Sequence, residues 1–392
     1  MLSDKTKHQV IRVLQQAINR NEVAGANILV YKDGEEVFYH EAGMRQVQKK
    51  LPIQRDTIFR LYSMTKPITA VAVMLLFERG LIDLFDPVCQ FIPGFIGQHV
   101  EDDIGKSPVS REVTIKDLLS MTSGLVYPKT ESPACQATQE VFEAIDEKLL
   151  SEEALSTYAI ANLLGQCPLA FEPGSSWQYG TSADVLGAIV EVVSGVRFGE
   201  FLEQELFKPL GMDDTGFWVP ATKRHRLASA YATTKAQELK VYEGNHLGII
   251  NGMDRLPAFE SGGAGLVSTI DDYAKFTQML MHQGRHQNLQ ILQPRTVKYL
   301  TSSTLHPSQQ QSFDLWYTLS GHSYGNLMRV MTECSQAGIL GSQGEYGWDG
   351  WLGAYFCNCP KDELNILIMM QKKDAGTISL TRKLRNIIYA SI

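Results

Sequence analysis

The chain has 392 residues, 44% of them apolar, enough to bury a large core and long for one compact domain, so two lobes or one domain with a large insertion is expected. A net charge of −7 and a pI near 5.8 give no reason to expect a nucleic-acid partner. The start, Met1-Leu2-Ser3-Asp4-Lys5-Thr6-Lys7-His8, lacks the apolar core of a signal peptide and no run reaches membrane-spanning length, so a soluble cytoplasmic protein with no membrane partner is expected.

Apolar residues at Val10, Ile11, Val13, Leu14, Ala17 and Ile18 predict a helix over 8–18. Two strand-like runs follow, 26–31 and 36–39, and Asp33-Gly34 between them is a hairpin signal. Next comes Phe59-Arg60-Leu61-Tyr62-Ser63-Met64-Thr65-Lys66-Pro67, and from Ile68 to Phe77 only Thr69 is polar, the pattern of a helix buried all round. Pro67 fits only a first turn and Gly80 a C-terminal stop, which puts Ser63 at the helix N-terminus. Lys66 shares a face with Ser63, and a lysine in so apolar a helix favours its neutral, proton-accepting form. Ser63-x-x-Lys66 therefore has the make-up of an activated nucleophile beside free N–H groups. The alternative is a capping serine and a snorkelling lysine.

Residues 113–125 predict a short capped helix ending at Gly124, and 127–163 a polar insertion over the surface, with 140–155 its clearest helix. Phe171-Glu172-Pro173-Gly174 then turns the chain into the aromatic loop Trp177-Gln178-Tyr179, ahead of an apolar helix over 183–193. Tyr179 is a packed aromatic or, with an ammonium beside it to lower a pKa of roughly 10, a general base. Gly262-Gly263-Ala264-Gly265 lacks the lysine of a phosphate loop and suits close backbone packing ahead of a helix over 270–281.

Gly321-His322-Ser323-Tyr324-Gly325 matches Gly-x-Ser-x-Gly, but that hydrolase class needs a histidine after the serine and none follows His322, so it reads as a chance match before a strand. His282 and His286 have no acidic ligand adjacent, and no metal site or cofactor is expected. Cys89, Cys135, Cys167, Cys334, Cys357 and Cys359 form no Cys-x-x-Cys pair and read as reduced thiols. Strand-like runs at 327–331, 352–357 and 365–370 and a helix over 378–389 complete the chain. The fold class is α/β (α+β): an antiparallel sheet built from both termini and flanked by the N- and C-terminal helices, with a mostly helical inserted lobe. The sheet lobe takes 1–80 and 286–392, and the helical lobe 81–285.

Ser63-Met64-Thr65-Lys66, Tyr179-Gly180-Thr181 and Tyr346-Gly347-Trp348-Asp349-Gly350-Trp351 together resemble, in order and spacing, the motifs of the serine β-lactamase and penicillin-binding-protein superfamily. The 118–125, 209–212 and 265–269 segments resemble its framework, and the likeness is strongest to the class C β-lactamase branch and its family VIII carboxylesterase relatives. The resemblance implies the β-lactamase/transpeptidase-like fold, with the active site between the lobes. It implies Ser63 as nucleophile, Lys66 as its proton partner, Tyr179 as the base whose proton affinity Lys66 lowers, and the N–H groups of Ser63 and Trp351 as the oxyanion hole. Trp348, Asp349, Gly350 and Thr181 occupy its substrate-binding positions. This chain departs from the family at two points: Thr181 replaces the asparagine of Tyr-x-Asn, and Trp348-Asp349-Gly350 replaces Lys-Thr-Gly, removing the cation that meets a drug carboxylate.

The expected activity is hydrolysis of small carboxylic esters through an acyl-enzyme on Ser63. β-Lactamase, D-amino-acid peptidase or amidase activity, acyl transfer, and a catalytically idle binding protein are the alternatives. Asp349 either repels carboxylates in the cleft, since like charges about 4 Å apart cost on the order of 1 kcal/mol even in water, or turns away along its strand into a local hydrogen bond.

Overall fold

A computed structural model describes residues 2–102 and 105–392 of the chain. Helix α1 spans Asp4–Asn19, starting before the expected residue 8 because the Ser3 hydroxyl accepts from the Thr6 N–H and caps it. The hairpin of β1 (Gly25–Lys32) and β2 (Glu35–Gln46) turns on Asp33 and Gly34, both at positive φ, as a two-residue primed turn requires. With β3 (Leu51–Pro52), β4 (His322–Gly325), β5 (Met328–Met331), β6 (Tyr346–Asp349), β7 (Tyr355–Cys359) and β8 (Leu364–Met370) they make one antiparallel sheet in the order β4-β5-β6-β7-β8-β1-β2-β3. Both ends of the chain thus feed one sheet.

Alternation along the central strands sorts the two faces. Ile28, Val30, Ile366 and Ile368 pack with Val10 and Leu14 of α1 and with Leu384 and Ile388 of the C-terminal helix Ser379–Tyr389. Leu29, Phe356, Leu367 and Met369 face the other way, into the larger core. At the centre of that core lies α2 (Thr65–Glu78), buried on all sides from Thr65 to Leu76. Each of its large apolar side chains contributes about 1.5–3 kcal/mol of burial.

α3 (Ile115–Ser120) and α5 (Thr157–Gln166) pack on α6 (Ser182–Ser194), which with the helix Pro294–Leu300 lies against α2; α4 (Pro133–Lys148) packs on α5, and α7 (Ile270–Met281) on β8. The 127–163 stretch is not a surface covering. Phe142, Ile145, Ile160 and Ala161 belong to the main core, and α4 begins before the expected residue 140 because Ser132 caps it, with Pro133 in its first turn. The Gly-x-Ser-x-Gly match is strand β4 itself, with Ser323 paired to Val330 and buried, so it presents no elbow. All six cysteines are free. Among the described residues no helix is long and apolar enough to cross a membrane.

Candidate active site

Ser63 sits at the N-terminus of the buried helix, as the sequence places it, in a turn that leads directly into α2. A 3₁₀ turn, Tyr62–Met64, precedes α2, and Tyr62 takes φ 46°, a left-handed conformation that costs an aromatic residue about 1–3 kcal/mol. Its ring is held against Trp351, centroids 4.9 Å apart. The chain leading here is fixed from both sides. Phe59 and Arg60 pair with Ser268 and Val267, and the buried Arg60 guanidinium donates to the Asn251 and Ala228 carbonyls. Ser63 itself is half-buried.

Lys66 Nζ lies 3.2 Å from Ser63 Oγ, 2.9 Å from Tyr127 OH and 2.8 Å from the Gly263 carbonyl. Its side chain is wholly buried, and burial lowers its pKa to about 7 against the opposing pull of Asp184 and Asp349. A neutral amine has two N–H groups and one lone pair. With Gly263 O and Tyr127 OH taking the two hydrogens, the lone pair is left for the serine hydroxyl.

The glycine-rich segment is therefore a lysine rest. Asp184 holds it, accepting from Ser261 Oγ at 2.5 Å and from the Gly263 N–H at 3.0 Å. A Cβ at Gly262 would lie 2.2 Å from the Ala183 carbonyl, so the loop can approach α6 only as glycine. Tyr127 and Asp184 were both missed from sequence. Tyr127 carries no pattern at all; Asp184, the first acid in an otherwise apolar helix, was the available signal for a buried polar contact.

Tyr179 is carried by a loop that backs onto the 121–125 segment: the Gln178 N–H donates to the Met121 carbonyl, and a Cβ at Gly180 would stand 2.2 Å from the Leu125 carbonyl. Its hydroxyl accepts from Trp348 Nε1 at 3.0 Å. Lys66 Nζ stands 4.7 Å from the centre of the Tyr179 ring and makes no hydrogen bond to its oxygen. Burial pushes the phenol's pKa up, more than the Ser63 and Trp348 side chains pull it down. Lys66 is not among the groups that lower it.

A family model described as Beta-lactamase matches residues 10–387. The chain belongs to the Beta-lactamase family. It is 28% identical over 394 residues to Esterase EstB of Burkholderia gladioli, covering 96% of this chain and 94% of that one. It is 29% identical over 373 residues to Protein Rv1367c of Mycobacterium tuberculosis, with coverage of 91% and 88%. Among solved structures it superposes on EstCE1, described as a hydrolase with promiscuous acyltransferase activity, with a TM-score of 0.83 at 26% identity over 98% of this chain and 99% of the other.

The third motif of this Beta-lactamase-family chain divides along its strand. Trp348 pairs opposite Phe356 and points to the α2 side, where it meets Tyr179. Asp349 pairs opposite Tyr355, whose ring lies in the layer under α1, so its side chain takes the other face, and its carboxylate accepts from Thr377 Oγ1. This corrects the expectation that Asp349 lines the cleft, and the local hydrogen bond is the alternative that holds. Thr181 is fully buried at the start of α6, and its hydroxyl has no partner among the described residues.

Gly350 acts through its backbone. A Cβ there would fall 2.1 Å from the Leu61 carbonyl, so its absence lets the chain around Trp351 lie against the chain leading to Ser63. The Trp351 N–H donates to no acceptor among the described residues. Its indole is fixed by stacking on His246, centroids 4.1 Å apart, and by donating to Asp374 Oδ1 at 2.8 Å. Among the described residues no cluster of His, Cys, Asp and Glu could hold a metal ion.

Proposed function

We propose that the protein is a serine esterase acting on small carboxylic esters through an acyl-enzyme. The observation that carries this is Lys66, fully buried with its pKa drawn to about 7, set 3.2 Å from Ser63 Oγ. In this reading Ser63 gives its proton to Lys66 and attacks the carbonyl carbon. The N–H groups of Ser63 and Trp351 receive the resulting oxyanion.

Collapse breaks the ester C–O bond. Tyr179, kept protonated by burial, gives its proton to the departing alkoxide; the Lys66 ammonium then releases its proton and the phenolate regains one by exchange through solvent, since the two side chains share no hydrogen bond. Water then takes the alcohol's place and the same transfers run in reverse, releasing the acid. Relative to the sequence reading, Tyr179 is moved from base to acid.

Hydrolysis of β-lactams is disfavoured: an indole, Trp348, stands where the cation for the drug carboxylate is expected, and Thr181 is buried. Acyl transfer to an alcohol is the second reading, supported by the description of EstCE1 and by an aromatic wall beside Tyr179. The deciding experiment measures nitrophenyl ester turnover and fluorophosphonate labelling in Ser63→Ala and Ser323→Ala. Loss of both with Ser63→Ala alone supports the assignment. Labelling that follows Ser323 overturns it.

A further inference from the structure

We infer that Trp316 walls a subsite for the alcohol portion of the ester, and that this subsite takes flat aryl alcohols in preference to small alkyl ones. The inference rests on the reaction proposed at Ser63 and extends it to the substrate class. Trp316 follows the helix Pro307–Phe313 and precedes β4. Its ring centroid lies 5.6 Å from that of Tyr179, 6.2 Å from Trp348 and 6.3 Å from Trp177. Trp177 and Trp348 are covered, but Trp316 keeps 38% of its surface exposed. It is the outermost ring of the wall that contains the tyrosine.

The tetrahedral carbon fixes which part of the substrate meets this wall. Its four substituents are Ser63 Oγ, the oxyanion, the acyl chain and the leaving oxygen. The leaving oxygen must reach the Tyr179 hydroxyl, so the carbon attached to it runs past Tyr179 onto the next surface, which is Trp316. Among the described residues that surface shows no ionic partner. Trp177, Phe313 and Tyr324 back it with rings, Lys66 is fully buried, and Asp349 faces the other side of the sheet. Rings meeting edge to face, as Trp316 and Tyr179 do at 67°, accept a further aryl group in the same geometry and gain little from a methyl or ethyl group.

Two ester series test this: acetates of ethanol, benzyl alcohol and 2-naphthylmethanol, and benzyl esters of acetate, butyrate and hexanoate. Trp316→Ala should lower the ratio of kcat/KM for the naphthylmethyl over the ethyl acetate by about tenfold, chiefly through KM, and Trp316→Phe by about two- to threefold. The ratios within the acyl series should stay as in the wild type. Tyr317→Ala, which removes a neighbouring ring that is 81% exposed, should leave the ratios of both series unchanged. A common loss across every ester in Trp316→Ala, or a shift confined to the acyl series, overturns the subsite. If Ser63→Ala keeps its turnover, the reaction fails instead. Competitive inhibition by 2-naphthylmethanol, weakened in Trp316→Ala, would still report aryl binding at the wall.

Discussion

Replacing Lys66 by methionine should abolish ester turnover and yet stabilise the fold, by an amount that depends on pH. Lys66 is buried with its pKa lowered from 10.5 to about 7. Between those values the unfolded chain binds the proton that the folded chain releases, so wild-type stability rises with pH across the window. At about 1.36 kcal/mol per pH unit, burying this lysine costs on the order of 4–5 kcal/mol at and below neutrality, fading as pH approaches 10.5. Methionine removes that cost but leaves the Gly263 carbonyl without its donor, a loss of about 1–3 kcal/mol that does not vary with pH. Urea unfolding followed by tryptophan fluorescence at about pH 6.5 and about pH 9.5 isolates the variable part. The variant's advantage over wild type should shrink by roughly 3 kcal/mol between the two. Parallel stabilities of the two proteins over that range would refute a near-neutral Lys66, and with it the proton acceptor of the proposed mechanism.

The same group sets the rate. Wild-type kcat/KM should fall about tenfold per pH unit below about 7 as Lys66 gains its proton, and a flat profile from pH 5 to 9 would count against it. Tyr127→Phe deletes the oxygen that accepts from Lys66 at 2.9 Å, so it should move that acidic limb to lower pH, which a purely structural loss would not do. Gly350→Ala should destabilise the protein and cut kcat at least about a hundredfold, because a Cβ 2.1 Å from the Leu61 carbonyl forces the two backbone segments apart; near-normal kcat would argue against Trp351 as an oxyanion donor. Asp349→Asn should leave the ratio of kcat/KM for a neutral ester over its carboxylate analogue within about twofold, since the side chain faces away from Ser63, and a larger change would return Asp349 to the cleft.

The sequence by itself determined the elements whose signals are local. The all-apolar run after Pro67 specifies a buried helix, Asp33-Gly34 specifies a two-residue hairpin turn, and Ser63 with Lys66 three residues on specifies a pair that a helical start brings together. The sheet from both termini was legible for the same reason: alternating or continuous β-rich runs stand at each end of the chain. What lies between chain-distant groups was decided only by packing. Tyr127 and Gly263 meet at Lys66, with Asp184 holding Gly263, because α6 and the glycine-rich loop close on α2, and no spacing rule links residues so far apart in sequence. The roles of Lys66 and Tyr179 depend on how much water each loses, which burial in the folded core sets and a sequence motif does not. Asp349 shows the limit most sharply: alternation along the strand already sets it opposite Trp348, but which of the two faces Ser63 depends on strand pairing, which puts Trp348 with Phe356 in the larger core and Asp349 with Tyr355 on the far face.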